Sequence, residues 1–133
     1  MFKFSGSRPT NLGVKDGRLA PCPASPNCVC SQANPQDKEH FIEPLAWTGD
    51  PQVAIVKLKR IIEGLPRTTI VSETPTYLYA EFTSQLMGFV DDVEFYGDTT
   101  AAVIQVRSAS RLGQSDLGVN RQRIEEIRLL FHG

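Results

Sequence analysis

All three cysteines of the chain fall in the run Cys22 to Cys30, spaced C-x5-C-x-C, and thiols this close can hold a metal, attack an electrophile or pair with one another. A zinc site usually opens with C-x2-4-C and repeats a ligand pair downstream, whereas here only His40 and His132 are available to complete one. No metal and no other cofactor is therefore expected. A nucleophilic Cys28 would want a nearby base, for which the candidates are the two histidines or Asp91. The plainer reading is buried or oxidation-prone thiols with a packing role. A Cys22–Cys28 disulfide is a further option, against which a reducing compartment weighs.

A second set of chemistry-bearing residues lies downstream, where Asp91, Asp92 and Glu94 are followed by Arg107, Ser108, Ser110 and Arg111, then Asp116, Asn120 and Arg121. Carboxylates, hydroxyls and arginines so grouped make either a hydrogen-bonded anchor or a small anion pocket.

The elements that position these groups can be read from periodicity. Asp50-Pro51 is a helix start, and Ala54, Ile55, Leu58, Ile61, Ile62 and Leu65 recur on one side before Gly64 and Pro66 end the helix. The period then changes to two through Thr69–Val71, Tyr77–Thr83, Phe89–Phe95 and Ala101–Ser108, with short turns at 74–76, 84–88 and 96–100, which predicts four antiparallel strands. Asp116 can cap a last helix whose Ile124, Ile127, Leu130 and Phe131 form a stripe. Before all this, Pro9, Pro21, Pro23, Pro26, Pro35 and Pro44 make residues 1–49 an irregular wrap with one short strand around Phe41 to Leu45. The expected architecture is an α+β fold in one domain, with a sheet of about four strands, two helices on one face, and the wrap laid over the core built by residues 50–133.

Alternation assigns faces. Leu78, Ala80, Phe82, Phe89, Val93, Phe95, Ala102, Ile104 and Val106 take the helix-covered side, and Tyr77, Tyr79, Glu81, Thr83, Asp92, Glu94, Gln105 and Arg107 the other, read as a solvated face with cross-strand ion pairs. Asp91 falls on the core side and needs donors, which Ser108, Ser110, Arg111, Asn120 and Arg121 are near enough in sequence to supply. Its loss should cost more stability than loss of Asp92. Strand register also brings Arg107 or Arg111 against Asp91, Asp92 or Asp116.

Three stretches, 21–29 (PCPASPNCV), 87–95 (MGFVDDVEF) and 106–121 (VRSASRLGQSDLGVNR), together resemble the domain-of-unknown-function 1499 family over about Leu12 to Leu130. The opening 8–13 (RPTNLG) is similar to short forms from photosynthetic microbes. The resemblance carries over Cys22, Ser25, Asn27, Cys28, Asp91, Asp92, Glu94, Arg107, Ser108, Ser110, Arg111, Asp116, Asn120 and Arg121 as motif positions without giving them roles. It implies Ser rather than Cys at position 30, which argues further against a three-cysteine metal site. Membrane or lipoprotein leaders of other members are not matched here.

Composition narrows the function classes. The 133 residues carry 14 Lys and Arg against 15 Asp and Glu, a net charge of −1, and such a chain lacks the field that drives nucleic-acid binding. No apolar run is long enough to cross a bilayer, and the opening residues lack the apolar stretch of a secretory signal, so a cytoplasmic or stroma-like address is expected. The leading functional expectation is a binding or accessory module that recognises a protein partner or a small anionic ligand. The alternative is a small thiol-dependent hydrolase or transferase using Cys28, with Arg107 and Arg111 holding an anionic substrate.

Overall fold

A computed structural model describes residues 6–85, 88–112 and 118–133. In chain order the elements are β1 (Cys28–Cys30), β2 (Leu45–Ala46), α1 (Pro51–Glu63), β3 (Thr68–Thr74), β4 (Tyr77–Thr83), β5 (Val90–Asp98), β6 (Val103–Ser110) and α2 (Val119–His132). All strands pair antiparallel in the order β1-β6-β5-β4-β3, with β2 also on β6. The fold is thus α+β as expected, but the sheet has six strands rather than about four. The extra two come from the wrap. At three and two residues, β1 and β2 are too short to show alternation.

Those two short strands share the outer edge of β6, β1 on Arg107 to Ala109 and β2 on Val103 and Ile104. Ser31 bridges the gap between them. Its N–H donates to the Val106 carbonyl at 2.9 Å while the Val106 N–H donates to its hydroxyl at 2.8 Å. An edge that would otherwise present free ladder groups is thereby closed. Phe41, expected in a strand, makes only an isolated parallel bridge to Cys30.

The helix α1 begins as its residues dictate, with Asp50 accepting from the Gln52 N–H and Pro51 at the first position. Its Ala54, Ile55, Leu58 and Ile62 join Leu78, Ala80, Phe82, Val93, Phe95, Ile104 and Val106 of the sheet and Ile124, Ile127 and Phe131 of α2 in one core. Two residues assigned to this face do not reach it. Phe89 precedes β5 and is 38% exposed, and Ala102, at φ 57°, sits in the exposed turn before β6. Leu130 also leaves the predicted stripe and is 46% exposed. Gly118 occupies the N-cap position of α2, and Asp116, expected there, lies outside the described residues, as do two residues of the 84–88 turn.

Gly97 on β5 lets α1 approach the sheet. A Cβ at this position would stand 2.6 Å from the Cβ of Pro51. Gly97→Ala should therefore destabilise the fold by about 1–3 kcal/mol, measured as a lower urea midpoint. An unchanged midpoint would mean that the start of α1 is free to shift.

Candidate functional site

The face of the sheet opposite the helices is not solvated. Asp92 is 1% exposed, Glu94 0%, Arg107 4% and Tyr79 4%, because residues of the wrap lie over them. Alternation sorts side chains by side but carries no information about what covers a side, and a Pro-rich segment offers no period from which its path can be read. The register explains the grouping. Cys30, Arg107, Glu94 and Tyr79 lie side by side on adjacent strands, and Cys28, Ala109, Asp92 and Glu81 form the next rung.

Within this layer Arg111 is the hub. Its Nε donates to Asp92 Oδ2 at 3.0 Å and its Nη2 to Asp92 Oδ1 at 2.9 Å, and Nη2 also meets Glu81 Oε2 at 2.5 Å. The expected pairing of Arg111 with an aspartate is present. Tyr79 donates to Asp92 Oδ1 at 2.5 Å, and Arg8 of the wrap reaches Glu81 Oε2 at 2.7 Å. Burial tends to raise the Glu81 carboxyl, but Arg8 and Arg111 together hold it below the usual carboxylate range.

The neighbouring pair is looser. Tyr77 and the Gly13 N–H donate to Glu94 Oε2 at 2.5 and 2.7 Å, while Arg107 Nη1 stands 3.8 Å from Glu94 Oε1 and Arg107 Nη2 donates to the Pro21 carbonyl at 3.3 Å. Glu94 Oε1 and Arg107 Nε have no hydrogen-bond partner among the described residues. Burial pushes the Glu94 carboxyl up, against the pull of Tyr77 and Gly13. Burial, with the adjacent carboxylates, likewise keeps the phenols of Tyr77 and Tyr79 protonated, so both serve as donors.

The core-side aspartate is satisfied from α2. Asp91 takes an ion pair at 2.8 Å from Arg123, whose guanidinium also lies 4.9 Å from the Phe82 ring centroid. Sequence reasoning missed Arg123, although its spacing one turn after Asn120 was a usable signal. Asn120 is buried, accepts from Ser108 Oγ at 2.6 Å and Arg123 Nη1 at 2.9 Å, and donates to Ser110 Oγ at 2.8 Å and the Asn27 carbonyl at 3.3 Å. Ser25 Oγ donates to Asn27 Oδ1 at 2.8 Å. The sheet end is thus an anchor that ties α2 and the wrap to β6. Arg121 stands apart, donating to the carbonyls of Lys38 and Glu39, and Asp116 lies outside the described residues.

Cys22 and Cys28 form a disulfide, one of the options open to these thiols, against the weight given to a reducing compartment, and Cys30 remains a buried free thiol. Cys28 is 0% exposed, so it is not the nucleophile considered above. His40 lies close to this region with both ring nitrogens engaged, Nδ1 on Asp37 Oδ2 at 2.7 Å and Nε2 on the Ser25 carbonyl at 2.9 Å. Two acceptors favour the doubly protonated ring, and the Ser25 carbonyl, followed by Asp37, raises its pKa. Among the described residues no group of His, Cys, Asp and Glu is arranged to hold a metal ion.

These features define an α+β scaffold whose second sheet face is sealed by a disulfide-tied wrap over a charged, hydrogen-bonded layer. The chain belongs to the protein family of unknown function DUF1499, whose sequence model matches residues 18–131. No curated protein and no solved structure matches it.

Two expectations follow from the buried layer. Asp92→Ala leaves Arg111 and Tyr79 without their main partner and should cost about 3–5 kcal/mol in urea unfolding, no less than Asp91→Ala, which reverses the order read from the faces. A smaller loss for Asp92→Ala would mean that the layer reorganises. Because the folded-state pKa of Glu81 is depressed, its contribution is present above the unfolded pKa and is lost as pH falls through the folded value. Glu81→Gln should therefore flatten the acid limb of the stability profile, and an unaltered limb would remove Glu81 from it.

Proposed function

We propose that the protein is a binding module for a small anionic ligand with an apolar body, held in a groove between the ends of α1 and β4 and the N-terminal part of α2. The observation that carries this reading is a cavity of about 400 Å³ whose walls include Leu65, Pro66, Phe82 and Ile127 beside Arg67 and Arg123. That volume lies within the range of small-molecule sites, and the lining is mixed, with Thr83, Ser84, Gln122 and Glu126 completing the wall.

The cations differ from those expected. Arg107 and Arg111 are committed to the sealed layer, so they are not available to an anion. Arg123 is neutralised by Asp91, and Glu126 adds a carboxylate to the wall. Arg67 makes no ion pair among the described residues. It also holds φ at 56°, a left-handed conformation usually left to Gly or Asn, while its carbonyl accepts from the Thr83 N–H at 2.9 Å. A strained residue presenting a cation beside the apolar part of the groove supports a role in recognition.

The thiol-dependent hydrolase has lost its nucleophile to the disulfide. The disulfide also weighs against the cytoplasmic address drawn from the opening residues. No helix among the described residues is long and apolar enough to cross a membrane.

Titration with octanoate, inorganic phosphate and a neutral alcohol of equal length, followed by NMR shifts of groove residues, tests the proposal. Octanoate should bind with roughly millimolar affinity at low salt, weaken about tenfold in Arg67→Glu, and exceed both controls. Equal binding of phosphate would overturn the need for an apolar body. No shifts in the groove at low salt would overturn the small-ligand reading and leave a protein partner.

A further inference from the structure

We propose that Cys22 is a thiol-exchange site, at which an incoming thiol opens the Cys22–Cys28 disulfide and so unclasps the wrap from the sealed face of the sheet. The inference does not rest on the groove described above.

The three sulfurs are unequally placed. Cys28 and Cys30 are adjacent same-side residues of β1, at 0% and 1% exposure, and they face the charged layer beside Ala109 and Arg107. Cys22 is only half-buried and lines a cavity of about 270 Å³ together with Arg18, Cys30, Asp37 and His40. A sulfur nucleophile from solvent therefore meets one end of the disulfide and not the other. Arg18 places a cationic group in the same cavity, where the His40 imidazole is balanced by Asp37 at 2.7 Å, so the guanidinium is what favours the approach of a thiolate. Burial keeps the Cys30 thiol protonated, so it does not compete for the bond at neutral pH.

The position of the bond gives its opening a consequence. It spans a separation of only six residues and so constrains little of the unfolded chain. What it does fix is the segment next to Pro21, whose carbonyl accepts from Arg107, over the layer that holds Glu94.

The step balances. The thiol loses its proton, the thiolate sulfur attacks Cys22 Sγ, the Cys22–Cys28 bond breaks, and its electron pair leaves on Cys28 Sγ, which takes up a proton. The products are a mixed disulfide on Cys22 and a free Cys28 thiol. A monothiol stops there, or is expelled again by Cys28. A dithiol completes the reduction, its second sulfur attacking the first and releasing Cys22 as a thiol while the dithiol is oxidised to a disulfide.

The test uses the intact oxidised chain with reduced glutathione as the probe, followed by acid quenching, alkylation and peptide mass spectrometry. The expected adduct is on Cys22 alone, with Cys28 recovered as an alkylated thiol, and Cys28→Ser, whose Cys22 is already a thiol with no bond to open, should form none with reduced glutathione. Because that variant lacks the clasp, the wild-type chain is also reduced with dithiothreitol without denaturant, and trypsin cleavage after Lys15 and Arg18 is timed. Cleavage there should accelerate about tenfold or more, while sites in α1 stay protected. Adducts on Cys28 or Cys30, or a bond that opens only in denaturant, would overturn the exchange site. A reduced chain cut after Lys15 and Arg18 no faster than the oxidised one would overturn the unclasping.

Discussion

Charge buried on the sheet face opposite the helices is the constraint on which the rest of the molecule depends. An isolated carboxylate or guanidinium there would be prohibitive, so each must find a partner before the face can close. The strands supply some, as with Arg111 and Tyr79 on Asp92. The others come from the wrap: Arg8 for Glu81, the Gly13 N–H for Glu94 and the Pro21 carbonyl for Arg107. The irregular first segment is therefore as much a part of the folded charge balance as the strands are. The dependence runs both ways. With few ladder bonds of its own, the wrap satisfies its backbone through side chains such as Gln32, which accepts from the Leu19 N–H and donates to the Gly17 carbonyl.

The same segment also solves the edge problem of β6. Two fragments of strand and a serine hydroxyl stand where a full-length strand would otherwise be needed. Fragments this short have little stability of their own. A disulfide on β1, contributing about 2 kcal/mol for so short a loop, reinforces one of these two short pairings.

What could be read from the sequence divides along the same line. The helix at Pro51, the period-two strands and the side on which Leu78, Val93 and Ile104 fall were all legible, because each is set by local spacing and by one apolar layer. The placement of Asp91 on the core side was legible too, but its partner was not. Arg123 reaches it from the far end of the chain, and its spacing one turn after Asn120 pointed to the helix face but not to the strand it meets. The burial of Asp92, Glu94 and Arg107 was hidden for a related reason: a polar face under water and a polar face under a polar cover show the same alternation. Of the candidate residues, most turn out to bond to one another or to the wrap. They mark where the fold is tied together, and the groove lined by Arg67 carried no sequence signal beyond an ordinary turn.

Sealing the arginines of the charged layer has a further effect on recognition. Arg8, Arg107 and Arg111 are matched by Glu81, Asp92 and Glu94, so this layer projects little field, and the whole chain carries a net charge of only −1. Long-range steering of an anion is then weak, and whatever the groove binds must be held by contact. On the proposed reading, an apolar body against Leu65 and Phe82 would supply that contact, while the guanidinium of Arg67, which makes no ion pair among the described residues, would select the sign of the charged end. A ligand made only of charge would gain the second interaction without the first, and it would meet Glu126 as well. If the groove binds as proposed, the internal neutrality that allows the sheet face to be buried would make shape, rather than net charge, the basis of its selectivity.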